Sequence, residues 1–126
     1  MTLHFSNHDG FIIAPVKFHH LTGWDDIGYS FLIGGEGTVF EGRGWDRVGA
    51  HTKGYNSVGL GFCLIGNFMD KSPTQIQLNT AKQLLECGVS QGKLRSDYIV
   101  RGHRDMVSTT CPGDTLYNII RSWPQY

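Results

Sequence analysis

Apolar positions along the chain fall into blocks of different period, and each block predicts an element. Residues 29–42, YSFLIGGEGTVFEG, hold two short β-rich runs around a glycine-rich turn at Gly34-Gly35-Glu36-Gly37, which predicts a β-hairpin. Residues 58–65, VGLGFCLI, are a mostly apolar run that suits a central strand buried on both faces. Ser72-Pro73-Thr74-Gln75 then reads as a helix start, with Ser72 as cap, Pro73 in the first turn and Gln75 completing a capping box. Ile76, Ala81, Leu84, Leu85 and Val89 recur near helical spacing, and Gly92 can end that helix. YIVRG (98–102) predicts another strand. Asp114 can cap a last helix carrying Leu116, Ile119, Ile120 and Trp123, stopped by Pro124. Strands alternating with helices imply an α/β fold, a sheet flanked by helices. Residues 1–17 give the weakest pattern.

Composition narrows the function classes. The 126 residues suffice for one domain. Lysine plus arginine equals aspartate plus glutamate at 11 each, which argues against a broad electrostatic grip on nucleic acid or anionic lipid. No apolar run approaches the roughly 20 residues that span a bilayer. The N-terminus, MTLHFSNHDGFIIAPVKF, lacks a basic start and carries His4, His8 and Asp9, so no signal peptide is legible. The expectation is either an internal protein or a start that has lost its leader. Three cysteines, Cys63, Cys87 and Cys111, are an odd count and do not make a full disulfide framework. Cys63 and Cys87 fall inside a predicted strand and helix and read as small buried hydrophobes.

The chemistry concentrates in residues 102–117, GHRDMVSTTCPGDTLY. His103 follows a predicted strand, and Cys111 lies in a loop before the last helix. A loop can fold both side chains to one point. Imidazole and thiolate are good zinc ligands, and a catalytic zinc site takes three protein ligands plus a water. Asp105 beside His103 offers a carboxylate that could orient the ring through its second nitrogen.

Several segments together resemble the peptidoglycan recognition protein family, which shares its fold with phage-type N-acetylmuramoyl-L-alanine amidases. They are GWDDIGYSFLIGGEGTVFEGRGW (23–45), GAHTKGYNSVGLGFCLIGNF (49–68), LLECGVSQGKL (84–94) and YIVRGHRDMVSTTCPGDTLYNIIRSWP (98–124). The resemblance implies a central, mostly parallel sheet with flanking helices and a groove on one face. It covers residues 18–126, behind an atypical segment 1–17 in which the family's first strand and helix look replaced or lost. It implies zinc, held partly by His103 and Cys111, and hydrolysis of the amide joining the lactyl group of N-acetylmuramic acid to L-Ala. Tyr29, in the D-I-G-Y motif, matches the family's catalytic tyrosine, a phenol that can donate to a developing oxyanion. Thr109, two places before the cysteine, matches an assisting residue. The implied setting is antibacterial innate immunity, mostly secreted, with bacterial peptidoglycan as the partner.

The resemblance also assigns a groove. Tyr29, His51 and Asn56 match residues lining it, with His19 nearby. Gly23-Trp24 and Arg43 match members that favour meso-diaminopimelate at the third stem position. Its extra carboxylate is a target for an arginine fork. One departure stands out. The family's other zinc histidine lies in a motif like I-I-H-H-T, which no stretch before Phe18 spells. His19-His20 aligns elsewhere, leaving His4 or His8 as stand-ins. The alternative function is therefore a non-catalytic recognition module.

Overall fold

The computed structural model describes residues 10–14, 28–50 and 52–126. Its centre is a five-stranded sheet. The strands are β1 (Gly10–Ala14), β2 (Phe31–Ile33), β3 (Val39–Glu41), β4 (Gly59–Leu64) and β5 (Val100–Gly102), in the order β3-β2-β4-β1-β5. Helix α1 (Gln75–Ser90) connects β4 to β5, and α2 (Asp114–Ile120) follows β5. All the pairings are parallel except that of β2 with β3. The mostly parallel α/β architecture expected above is therefore present.

The hairpin forms where its turn glycines predicted it. Gly34 N–H donates to Thr38 O and Gly37 N–H to Gly34 O, both at 2.9 Å. Every residue of β4 is buried, as its uninterrupted apolar sequence requires in the middle of a sheet. Phe62 of β4 meets Phe31 edge-on at 5.2 Å between centroids, and Trp45 packs on both rings. The loop tryptophan thus packs half-buried against the core, between the sheet and α1. Cys63 is fully buried, and burial pushes its thiol above the ordinary range. None of the three cysteines is in a disulfide.

Three local expectations shift. The first strand is not lost: β1 lies between β4 and β5, in register from Gly10↔Gly59 to Ala14↔Cys63. Helix α1 starts two residues later than read. Its cap is Thr74, whose hydroxyl accepts the Gln77 N–H at 3.1 Å, and Ser72 and Pro73 stand outside. With that start Ile76 turns to solvent at 59% exposure, and polar Gln77 takes the buried place. Its amide is satisfied there, donating to the strand-end carbonyls of Ile33 (2.9 Å) and Ile65 (3.2 Å). The last helix is capped by Gly113, with Asp114 as its first residue, and ends at Ile120 before buried Trp123.

Gln77 should therefore matter more than its polarity suggests. Gln77→Leu keeps the helix but leaves a strand-end carbonyl unpaired, and urea unfolding should show a loss of about 2 kcal/mol.

Candidate functional site

The segment 28–30 is held from two sides. Ser30 N–H donates to Gly61 O at 2.6 Å, and Gly61 N–H returns a bond to the Ser30 hydroxyl at 3.0 Å, which fixes the segment to β4. Arg43 N–H donates to Tyr29 O at 2.9 Å, which ties in the G-R-G-W loop. Ala50 N–H donates to Gly28 O at 2.9 Å. A Cβ on Gly28 would lie 2.1 Å from Ala50 O, so the approach of the two backbones requires glycine. Tyr29 is buried, with 5% exposure. Burial raises its phenol well above the usual range, and charge at Cys63 and Cys111 adds to the effect. Tyr29 therefore stays protonated, a hydrogen-bond donor within the electrostatic reach of Cys111.

His103 opens a 3-10 turn, His103–Asp105, directly after β5. It stands at the carboxyl end of a parallel strand, the end at which open α/β sheets bind ligands. Arg104 stitches this turn to the cysteine loop. Its N–H donates to Cys111 O at 3.0 Å, its Nη1 meets Asp114 Oδ1 at 2.8 Å, and Nη2 donates to Thr110 O. Thr109 Oγ1 accepts the Cys111 N–H at 3.2 Å, and a hydroxyl that accepts can still donate. The fold thus brings the backbone at Cys111 against the turn that starts with His103, with Thr109 alongside. Asp105 does not serve as the expected orienting carboxylate. Its oxygens take the Gly102 N–H (2.9 Å), the Tyr117 hydroxyl (2.7 Å) and the Tyr126 hydroxyl.

Asn56 and Arg43 are first of all loop-building residues. Asn56 Oδ1 accepts the N–H of buried Thr52 at 2.8 Å. Arg43 Nη1 donates to Val48 O at 3.0 Å. Beside Asn56 lies a recess of about 170 Å³, lined in part by Trp45, Asp46, Arg47 and Leu60. Arg47 was not singled out from sequence. It braces the loop through Gly42 O and Arg43 O, both at 3.2 Å, and its place directly after G-R-G-W-D was the available signal. His4, His8, His19, His20, Gly23, Trp24 and His51 lie outside the described residues.

Comparison with known proteins shows the family. The N-acetylmuramoyl-L-alanine amidase family profile matches residues 4–114. The chain belongs to that family. Peptidoglycan recognition protein 1 of Mus musculus is 53% identical over 105 residues, 82% of this chain and 58% of that protein. The N-acetylmuramoyl-L-alanine amidase of Homo sapiens is 49% identical over 112 residues, 87% of this chain but 19% of the enzyme. The chain thus spans about a fifth of the length of that amidase. Among solved structures, peptidoglycan recognition protein-LE in complex with tracheal cytotoxin superposes with a TM-score of 0.89 at 35% identity, over 100% of this chain and 86% of that one.

Family membership raises the question of zinc. Among the described residues, no three His, Cys, Asp or Glu side chains gather as a group that could hold a metal. His103 and Cys111 are of the right chemistry, but two ligands make an incomplete zinc site. Strand β1 pairs with β5, which leads into His103, and reads Gly-Phe-Ile-Ile-Ala, which adds no ligating type. Its register, Ile13↔Gly102, carries Ala14 one step further, toward His103. Ala14→His should therefore tighten zinc binding roughly tenfold or more, measured by competition with a chromophoric chelator. Wild type matching the variant would mean that a third ligand already arrives from elsewhere.

Proposed function

We propose that this chain binds bacterial peptidoglycan through its stem peptide, with Tyr29, Asn56, His103, Cys111 and Thr109 facing the ligand beside His19 and His51. The observation that carries this reading is the Cys111 loop bonded to the His103 turn, with the buried Tyr29 phenol within the electrostatic reach of Cys111, in a chain of the amidase family. Such a ligand needs apolar surface and a few fixed polar groups. The loop around Trp45 and Asn56 supplies both. The protein would act where bacterial wall is met, outside the cell.

Within this reading Arg43, with Gly23 and Trp24, selects meso-diaminopimelate by pairing with its extra carboxylate. Support comes from protein-LE, whose partner in the solved complex is a monomeric diaminopimelic acid-type peptidoglycan. Arg43→Ala should weaken binding of a diaminopimelate-type muropeptide by about 2 kcal/mol in calorimetry and barely change a lysine-type one. Equal losses for the two ligands would reject the assignment.

A second reading, hydrolysis of the lactyl–L-Ala amide, is favoured by Cys111 lying against the His103 turn with the protonated Tyr29 phenol in reach. Zinc would supply a bound water of lowered pKa, and His4 or His8 would have to complete its ligand set. Under this reading purified peptidoglycan releases free stem peptide, and a chelator abolishes the release. Binding without release supports recognition alone.

A further inference from the structure

The region behind His103 holds a cluster that the site itself does not use. Asp105 closes the 3-10 turn on itself, since its Oδ2 accepts the Gly102 N–H at 2.9 Å. The same carboxylate receives two phenols from downstream. Tyr117 of α2 donates to Oδ1 at 2.7 Å, and Tyr126 donates to Oδ2. The two rings meet edge-on at 6.3 Å. Arginines cover them: Arg104 and Arg121 lie over Tyr117 at 4.6 and 5.3 Å, and Arg101 over Tyr126 at 5.2 Å. A Cβ on Gly102 would lie 2.8 Å from the Tyr117 ring, so glycine here lets that ring lie directly against the turn. The C-terminal segment is itself anchored to β5, because Val100 N–H donates to Gln125 O at 2.8 Å. Burial and the bond to Asp105 both raise the Tyr126 phenol, so it remains a donor.

We propose that Tyr117 and Tyr126 are positioning residues for His103, acting through the Asp105 carboxylate that both hydroxyls grip. The argument is geometric. His103 is the first residue of a turn only three residues long, and Asp105 is its last. A carboxylate held by three donors is fixed in place, and charge-assisted bonds of this kind are the stronger ones. Fixing both the carboxylate and the Gly102 N–H leaves the turn little freedom, and the direction in which His103 leaves the backbone follows from it. His103 also accepts at its carbonyl from Met106 and Val107, each at 3.1 Å, which holds the far side of the turn. Its effect on ligand binding rests on the peptidoglycan-binding reading above; its effect on the imidazole does not.

The test uses the full chain with the double variant Tyr117→Phe/Tyr126→Phe, which removes two hydroxyls and keeps both rings. Ser122→Ala serves as control, because its hydroxyl caps Ile119 O at 2.6 Å in the same region without touching Asp105. The His103 ring resonances are followed by NMR at fixed pH, and affinity for a soluble muropeptide by calorimetry. The double variant should move the His103 ring resonances and weaken binding about fivefold, on the scale of two weakened hydrogen bonds. Ser122→Ala should lower thermal stability and leave both readouts alone. Unmoved ring resonances in the double variant overturn the proposal, whatever happens to stability, and so does a ring that moves while affinity holds. If wild type binds no muropeptide, the functional reading falls, and the ring resonances alone decide whether the tyrosines position His103.

Discussion

Five residues of β1 join the two halves of the sheet. Gly10–Ala14 pairs with β4 on one side and with β5 on the other. Among the described strands β5 has no other neighbour in the sheet, so the position of His103 relative to β4 is transmitted through β1. The Tyr29 segment is fixed to β4 from the opposite side, through the paired bonds between Ser30 and Gly61. The candidate site is therefore held by two arms. One runs from β4 through Ser30 to Tyr29, and the other from β4 through β1 and β5 to His103. The Arg104 bond to Cys111 then draws the cysteine loop onto the second arm.

This arrangement explains which parts of the fold were legible in the sequence. The hairpin was, because its turn glycines act locally. The all-apolar β4 was too, because burial on both faces leaves a composition signature. The start of α1 was misread by two residues. Ser72 and Thr74 are both capping types, and the choice between them is made by Gln77, whose amide meets carbonyls of Ile33 and Ile65 far away in sequence or beyond the helix. The same contact turns Ile76 outward. Strand β1 was passed over because FIIA is short and its partners lie roughly 50 and 90 residues downstream; parallel pairing leaves no turn in the sequence to announce it.

The site was legible mainly by resemblance. Spacing drew attention to His103 and Cys111, while Tyr29, Thr109, Asn56 and Arg43 came from matching motifs. Local reasoning misled at Asp105. Its nearness to His103 suggested a partner for the imidazole, but the carboxylate turns to Tyr117 and Tyr126, whose side chains reach it only once α2 and the C-terminal segment have packed on β5. Burial gives the Tyr29 phenol its character, keeping it protonated. A buried, protonated donor suits an amide or a sugar-linked peptide, and the relatives include both a recognition protein and an amidase.

The most direct test is a titration of isotopically labelled protein with a diaminopimelate-type muropeptide, followed amide by amide. Binding at the candidate site held by the two arms predicts saturable shifts at Tyr29, at the loop from Arg43 to Val48, at Asn56, and at His103 and Cys111. Shifts confined to the outer hairpin or to the exposed face of α1, or no shifts at all, would contradict it.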